Sequence, residues 1–180
     1  MTLVSPVYLD ANILVGAVVR EHRLYRSCVL LVGELLTSQA RILISPVCFQ
    51  ESLWAMVRIS YYELTRQPRG KYFSMELYHR WCDRIFNIHG ARISAVSSMV
   101  RDWTSAGAHV ELVPKQEPVW SRVMELTPAY MRQLRLAPAD ALHLALAQTH
   151  AKTFLTADSH FTTVAEGLPV PELAVVHLDE

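Results

Sequence analysis

Cysteine is scarce in this chain: among 180 residues only Cys28, Cys48 and Cys82 are cysteines, an odd number set far apart. None forms a C-x-x-C pair, which argues against a disulfide framework and against a thiolate zinc site. All three stand in apolar surroundings, where a free thiol packs as a small hydrophobe, and such usage fits a reducing cytoplasm. An excess of charge is missing too. Seventeen Lys+Arg balance seventeen Asp+Glu, a formal net charge of zero, so a uniformly basic protein held to nucleic acid by its overall field is excluded. Long apolar runs are interrupted by Arg20, Arg23, Arg26 and Glu34, which leaves no membrane span. The opening residues MTLVSPVYLD carry neither a basic n-region nor a small-residue cleavage site, so no signal peptide is expected. The chain has no internal repeat, no low-complexity tract, no Gly-rich phosphate loop and no G-x-S-x-G elbow. Nucleotide-driven motors and serine hydrolases therefore find no support.

What is present is an ordinary globular composition, 51% hydrophobic and 19% charged. A chain of this size buries roughly 70% of its unfolded surface, enough for a single domain over 1–180. Short apolar runs at 6–9, 42–44, 109–113, 153–156 and 173–176 read as strands. Between them the pattern predicts helices over 11–19, 24–36, 47–65, 73–88, 93–103, 119–132 and 138–150. Pro46 opens one of these at its favoured first-turn position, and Gly90 is the expected break between 73–88 and 93–103. Strands separated by helices imply crossover connections, hence an α/β domain with a mainly parallel sheet of four to five strands flanked by helices.

In such sheets, sites form beyond the carboxyl ends of the strands. Asp10 and Asn12 follow the first strand, Asp158 follows the fourth, and Glu51 lies one turn into the helix after the second. Asp140 opens the helix that leads into the fourth strand. Each acid has a plain structural alternative. Asp10 suits a helix N-cap, Asp140 complements the positive end of a helix dipole, and Asp158 suits a turn. Glu51 is otherwise an unexceptional helical acid. Their shared placement is what raises them, because four like charges brought together need a cation or protonation to offset them. Magnesium or manganese is the natural counterion for carboxylate oxygens, and such ions activate water and stabilise the leaving oxygen of a phosphodiester.

The segments VYLDANILV at 7–15, SPVCFQESLWAM at 45–56, LAPADALHLALA at 136–147 and TFLTADSHF at 153–161 together resemble the PIN-domain nucleases. The likeness is strongest to the VapC-like toxins of prokaryotic toxin–antitoxin pairs. The segments occur in the family's order and span most of the chain. The resemblance implies that Asp10, Glu51, Asp140 and Asp158 are metal-binding and catalytic acids. It further implies that Thr156 orients the first acid and that Asn12 supports it. The implied activity is Mg- or Mn-dependent hydrolysis of RNA phosphodiesters, leaving 5′-phosphate and 3′-hydroxyl ends, with an antitoxin protein as partner. Two features depart from the family's pattern. His160 stands where such toxins often carry a further acid, and the chain holds a helical insertion at about 66–107.

The zero net charge hides a partition. Residues 52–110 carry eight bases against four acids, a net +4 that leaves −4 elsewhere. The bases are Arg58, Arg66, Arg69, Lys71, Arg80, Arg84, Arg92 and Arg101, interleaved with Trp54, Tyr61, Tyr62, Tyr72, Phe73, Tyr78, Trp81 and Trp103. Arginine with exposed aromatics suits single-stranded RNA, whereas aromatics at helical spacing are more often core. Arg58, seven residues after Glu51 on the same helix face, is the candidate phosphate contact. The apolar run Val29-Leu30-Leu31-Val32-Gly33-Glu34-Leu35-Leu36 suits either a homodimer interface or a covered core helix. His143, three residues after Asp140 on nearly the same helix face, reads as a packed structural histidine in preference to a group supporting the acids or a substrate contact.

Three functions compete. The first is a metal-dependent endoribonuclease, with a toxin as its narrower form. The second is a catalytically inactive PIN-like module that binds RNA or protein, and retention of all four acids weighs against it. The third is a phosphohydrolase acting on a small ester, whose usual Asp-x-Asp pattern is broken here by Asn12.

Overall fold

The computed structural model describes residues 3–68, 72–113, 117–161 and 173–178. Its strands are β1 (Val7–Leu9), β2 (Ile42–Ile44), β3 (Val110–Leu112), β4 (Thr153–Thr156) and β5 (Ala174–His177). The helices are α1 (Ala11–Val18), α2 (Tyr25–Thr37), α3 (Pro46–Thr65), α4 (Met75–Ile93), α5 (Ala95–Ser105), α6 (Glu117–Leu134) and α7 (Pro138–His150). The strands form one sheet in the order β3-β2-β1-β4-β5, and every neighbouring pair is parallel. This is the α/β architecture expected from the alternation of runs.

The central strands β1, β2 and β4 are apolar at nearly every position and buried throughout, as strands covered on both faces must be. Their period of two sorts side chains to opposite faces. Val7, Leu9, Ile42, Ile44 and Leu155 join the core beneath α1 to α5. Tyr8, Leu43 and Phe154 join a second core under α6 and α7. The edge strands are more open and carry polar groups, including Glu111 on β3. Arg41 meets that carboxylate with two nitrogens at 2.6 and 2.9 Å.

Local signals set several helix ends. Ser45 caps α3 by accepting from the Cys48 N–H, Pro46 occupies the first turn, and Arg66 ends the helix in the left-handed region at φ 53°. The expected break at Gly90 does not occur. Helix α4 runs through it to Ile93, and the chain turns at Ser94 instead. An interior glycine costs a helix only about 1 kcal/mol, less than the packing that this amphipathic helix gains against α3. Helix α6 also extends beyond its expected ends and contains Pro128.

The packing of residues 52–110 settles the fate of most of their aromatics. Trp54 meets Phe73 and Tyr78, and Tyr61 meets Phe73 and Trp81, with ring centroids 4.7–5.9 Å apart. Tyr62 and Trp103 are buried, while Tyr72 is exposed. These rings hold α4 on α3, the core alternative of the sequence reading. Several bases there are also engaged: Arg92 bridges Glu63 and Glu21, Arg80 pairs with Glu76, and Arg84 lies over Trp81. Arg69 and Lys71 lie outside the described residues. On α2, Cys28, Val32 and Leu35 are buried while Val29 and Leu30 face outward. No helix of the described residues is long and apolar enough to cross a membrane.

Candidate active site

The parallel sheet brings the carboxyl ends of β1, β2 and β4 to one edge, where a cavity of about 440 Å³ opens. Asp10, Asn12, Glu51, Arg58, Asp140 and Asp158 all line it. A larger cavity of about 1000 Å³ lies between α3, α4, α5 and β3, but its wall is mainly apolar and contains no acid. Size therefore does not identify the chemical site here; the convergent polar groups of the smaller cavity do.

Asp10 is buried and held by three donors. Its Oδ1 accepts from the Ala11 N–H at 2.6 Å, which makes it the N-cap of α1. Its Oδ2 accepts from Thr156 Oγ1 at 2.6 Å and from Asn12 Nδ2 at 3.0 Å. Asn12 Oδ1 in turn accepts from the Ala157 N–H, and Thr156 Oγ1 from the Asp158 N–H, each at 3.0 Å. Capping and site membership are thus the same geometry and not alternatives. Burial raises the Asp10 pKa, against the opposing influence of the His143 charge and the bonds from Thr156 and Ala11.

Asp140 lies in the first turn of α7, where Ala137 supplies no side-chain cap. Its pKa is raised by burial and by the neighbouring carboxylates of Asp158 and Glu51, with His143 and His160 opposing. Asp158 Oδ1 accepts from the His160 N–H at 2.9 Å and lies 3.1 Å from His160 Nδ1. His160 thus sits beside an acid of the cavity. Arg58 projects from α3 as an exposed cation on the same wall.

Glu51 holds the arrangement that sequence reasoning missed. Its Oε2 lies 2.7 Å from His143 Nε2. His143 is buried and hydrogen-bonded as expected of a structural histidine, but its partner is a cavity acid. Its Nδ1 lies 2.8 Å from Tyr8 Oη, and Tyr8 donates to Ser45 Oγ at 2.7 Å. Both ring nitrogens of His143 are thus engaged, Nδ1 by Tyr8 and Nε2 by Glu51. Burial works against the charged imidazole, yet the Glu51 bond and the charges of Asp10, Glu51 and Asp140 outweigh it and raise the His143 pKa. Spacing from Asp140 on α7 hinted at His143; nothing in the sequence signalled Tyr8 or Ser45.

One ligand-type atom each from Asp10, Glu51 and His143 lies within 4.8 Å of the others, a tight group among the described residues. Asp140 and Asp158 stand outside that group on the cavity wall. Carboxylate oxygens of this number suit a hard divalent cation, which would offset the burial that raises the Asp10 and Asp140 pKa values and, at Asp140, the added repulsion of Asp158 and Glu51.

A parallel α/β domain with a carboxylate-lined cavity at the carboxyl edge of its sheet has its polar groups where such folds form their sites. The PIN-domain family model matches residues 7–167, and the chain belongs to that family of nucleases. Among solved structures, the chain is similar to VapBC2 from Rickettsia felis bound to a DNA fragment from their promoter. That likeness has 16% identity and a TM-score of 0.53, covering 96% of this chain and 98% of that one. It is also similar to FitAcB from Neisseria gonorrhoeae, at 17% identity and a TM-score of 0.48, covering 95% of this chain and 96% of that one. No curated protein matches the sequence significantly.

Proposed function

We propose that this protein is a Mg²⁺- or Mn²⁺-dependent endoribonuclease and the toxin of a toxin–antitoxin pair. The observation that carries the reading is the convergence of Asp10, Glu51, Asp140 and Asp158 on one cavity in a chain of the PIN-domain family. These four acids are the proposed metal ligands. A bound divalent ion would supply an activated water and charge stabilisation at the phosphodiester. Asp10, fixed by Thr156 and Asn12, offers a pre-oriented carboxylate, so little reorganisation accompanies binding. Arg58 offers a cation to a phosphate on the same wall.

RNA is the proposed substrate because the resemblance to VapC-like toxins implies it; the acids themselves require no 2′-hydroxyl. An antitoxin partner has the same basis, together with the fold shared with a VapBC2 assembly. The outward-facing Val29 and Leu30 of α2 support a homodimer, and we read the segment 66–107 as an insertion that braces α3. A cytoplasmic location accords with the cysteine usage.

The test is cleavage of a defined single-stranded RNA with and without Mn²⁺. Asp10→Asn and Asp140→Asn are each expected to abolish Mn²⁺-dependent cleavage while keeping the circular dichroism of the parent. Undiminished cleavage by both variants overturns the assignment.

A further inference from the structure

We propose that His143 is a positioning residue that holds the Glu51 carboxylate toward the cavity, with Tyr8 and Ser45 holding His143; the inference rests on the metal-site reading above. Asp10 and Glu51 are secured very differently. Asp10 receives three donors, from Ala11, Asn12 and Thr156. Glu51 has a longer side chain that is 37% exposed, and its described hydrogen bond is the one with His143. Without that bond its carboxylate is free to leave the cavity for solvent, since glutamate has more side-chain freedom to lose on fixing than aspartate.

The histidine is suited to the task because it cannot itself swing away. Its side chain is 2% exposed, its Nδ1 is bonded to Tyr8, and its ring packs edge-on to Tyr8 with centroids 5.9 Å apart. Tyr8 is fully buried and donates to Ser45 Oγ, which also accepts from the Cys48 N–H. Ser45 is the N-cap of α3, the helix that carries Glu51. The chain therefore closes on itself: α3 through Ser45 to β1, β1 through Tyr8 to α7, and α7 through His143 back to α3. Less than two turns of α3 separate Ser45 from Glu51, so the position of Glu51 is set by three packed elements instead of by its own rotamer.

Direct ligation by His143 is the competing role, because its Nε2 belongs to the tight group with Asp10 and Glu51. Both ring nitrogens are already engaged, however, Nδ1 with Tyr8 and Nε2 with Glu51. A histidine in that state orients a ligand, as outer-shell partners of metal sites do.

The experiment measures Mn²⁺ and Mg²⁺ binding by calorimetry on the full-length protein, beside thermal melts and RNA cleavage. Parent, Asp10→Asn, His143→Ala, His143→Gln and His143→Asn are compared. The glutamine amide places a donor near the Nε2 position, and the asparagine amide places one near Nδ1. His143→Ala and His143→Asn are expected to weaken both ions alike, by about 10- to 100-fold, and His143→Gln to recover most of the affinity. If His143→Ala fails to fold, the glutamine and asparagine variants decide between themselves. Equal affinity for these two, or parent-like binding by His143→Ala, overturns the inference. A loss for Mn²⁺ far exceeding that for Mg²⁺ also overturns it, since nitrogen ligation would then be direct. Parent protein that binds both ions but leaves RNA intact defeats the ribonuclease reading alone; parent protein that binds neither ion defeats both.

Discussion

The Glu51 carboxylate and the His143 imidazole lie 2.7 Å apart although 92 residues separate them in the chain. The pair joins α3 to α7 across the carboxyl edge of β1, and it places a buried base among acids that otherwise repel one another. Its consequences reach from metal binding to the pH dependence of the fold.

Thr156→Val removes the hydroxyl that donates to Asp10 Oδ2 and accepts from the Asp158 N–H. Two acids of the cavity lose orientation at once. Outer-shell losses of this kind cost about 10- to 100-fold in metal affinity or activity, and that range is expected for Mn²⁺ binding by calorimetry. A variant that binds Mn²⁺ like the parent would show that Asp10 needs no help from Thr156.

The metal-free protein is expected to lose stability as pH rises. His143 has a folded-state pKa above 6.5, so its contribution is complete below 6.5 and disappears as pH climbs through the folded value. Asp10 and Asp140 are likewise raised from 3.8, so in each case the folded state holds the proton more tightly than the unfolded chain. All three slopes have the same sign, because stability falls with pH wherever the native state binds more protons. Added Mn²⁺ replaces those protons and should raise the melting temperature more at about pH 8 than at about pH 6. Melts in chelator that stay level or rise between those values would contradict this account.

Gly16→Ala tests the fit of α1 on α2. A Cβ at Gly16 would lie 2.5 Å from Cys28 Sγ, inside the core. Overpacking costs about 1–3 kcal/mol, which exceeds the gain of up to about 1 kcal/mol in helix propensity. Net destabilisation is expected, and Cys28→Ala should relieve it, with a favourable coupling of about 1 kcal/mol or more in a denaturant-based double-mutant cycle. Strictly additive effects would rule out the clash.

The legible part of this protein was whatever depends on near neighbours. The runs around Val7, Ile42 and Phe154 declared central strands because both faces of each are apolar. The rule that sites gather beyond strand ends selected Asp10, Glu51, Asp140 and Asp158, which line one cavity. Asp10 as a cap and Asp158 as a turn residue were visible for the same local reason.

Other features depended on which distant surfaces met. Gly90 carries a local breaking tendency of about 1 kcal/mol, too small to oppose the packing of α4 on α3. The aromatics of residues 54–81 show in sequence only that they recur at helical spacing; contact between α3 and α4 turned most of them toward one another. His143 looked like one more packed histidine, and packed it is. Its bond to Glu51 exists because α7 crosses beside α3 at the sheet edge, with Tyr8 beneath. Periodicity and spacing determined which residues seek burial and which acids reach the edge. The tertiary fold alone decided which base stands against which acid, because a hydrogen bond is set by separation in space and not by separation along the chain.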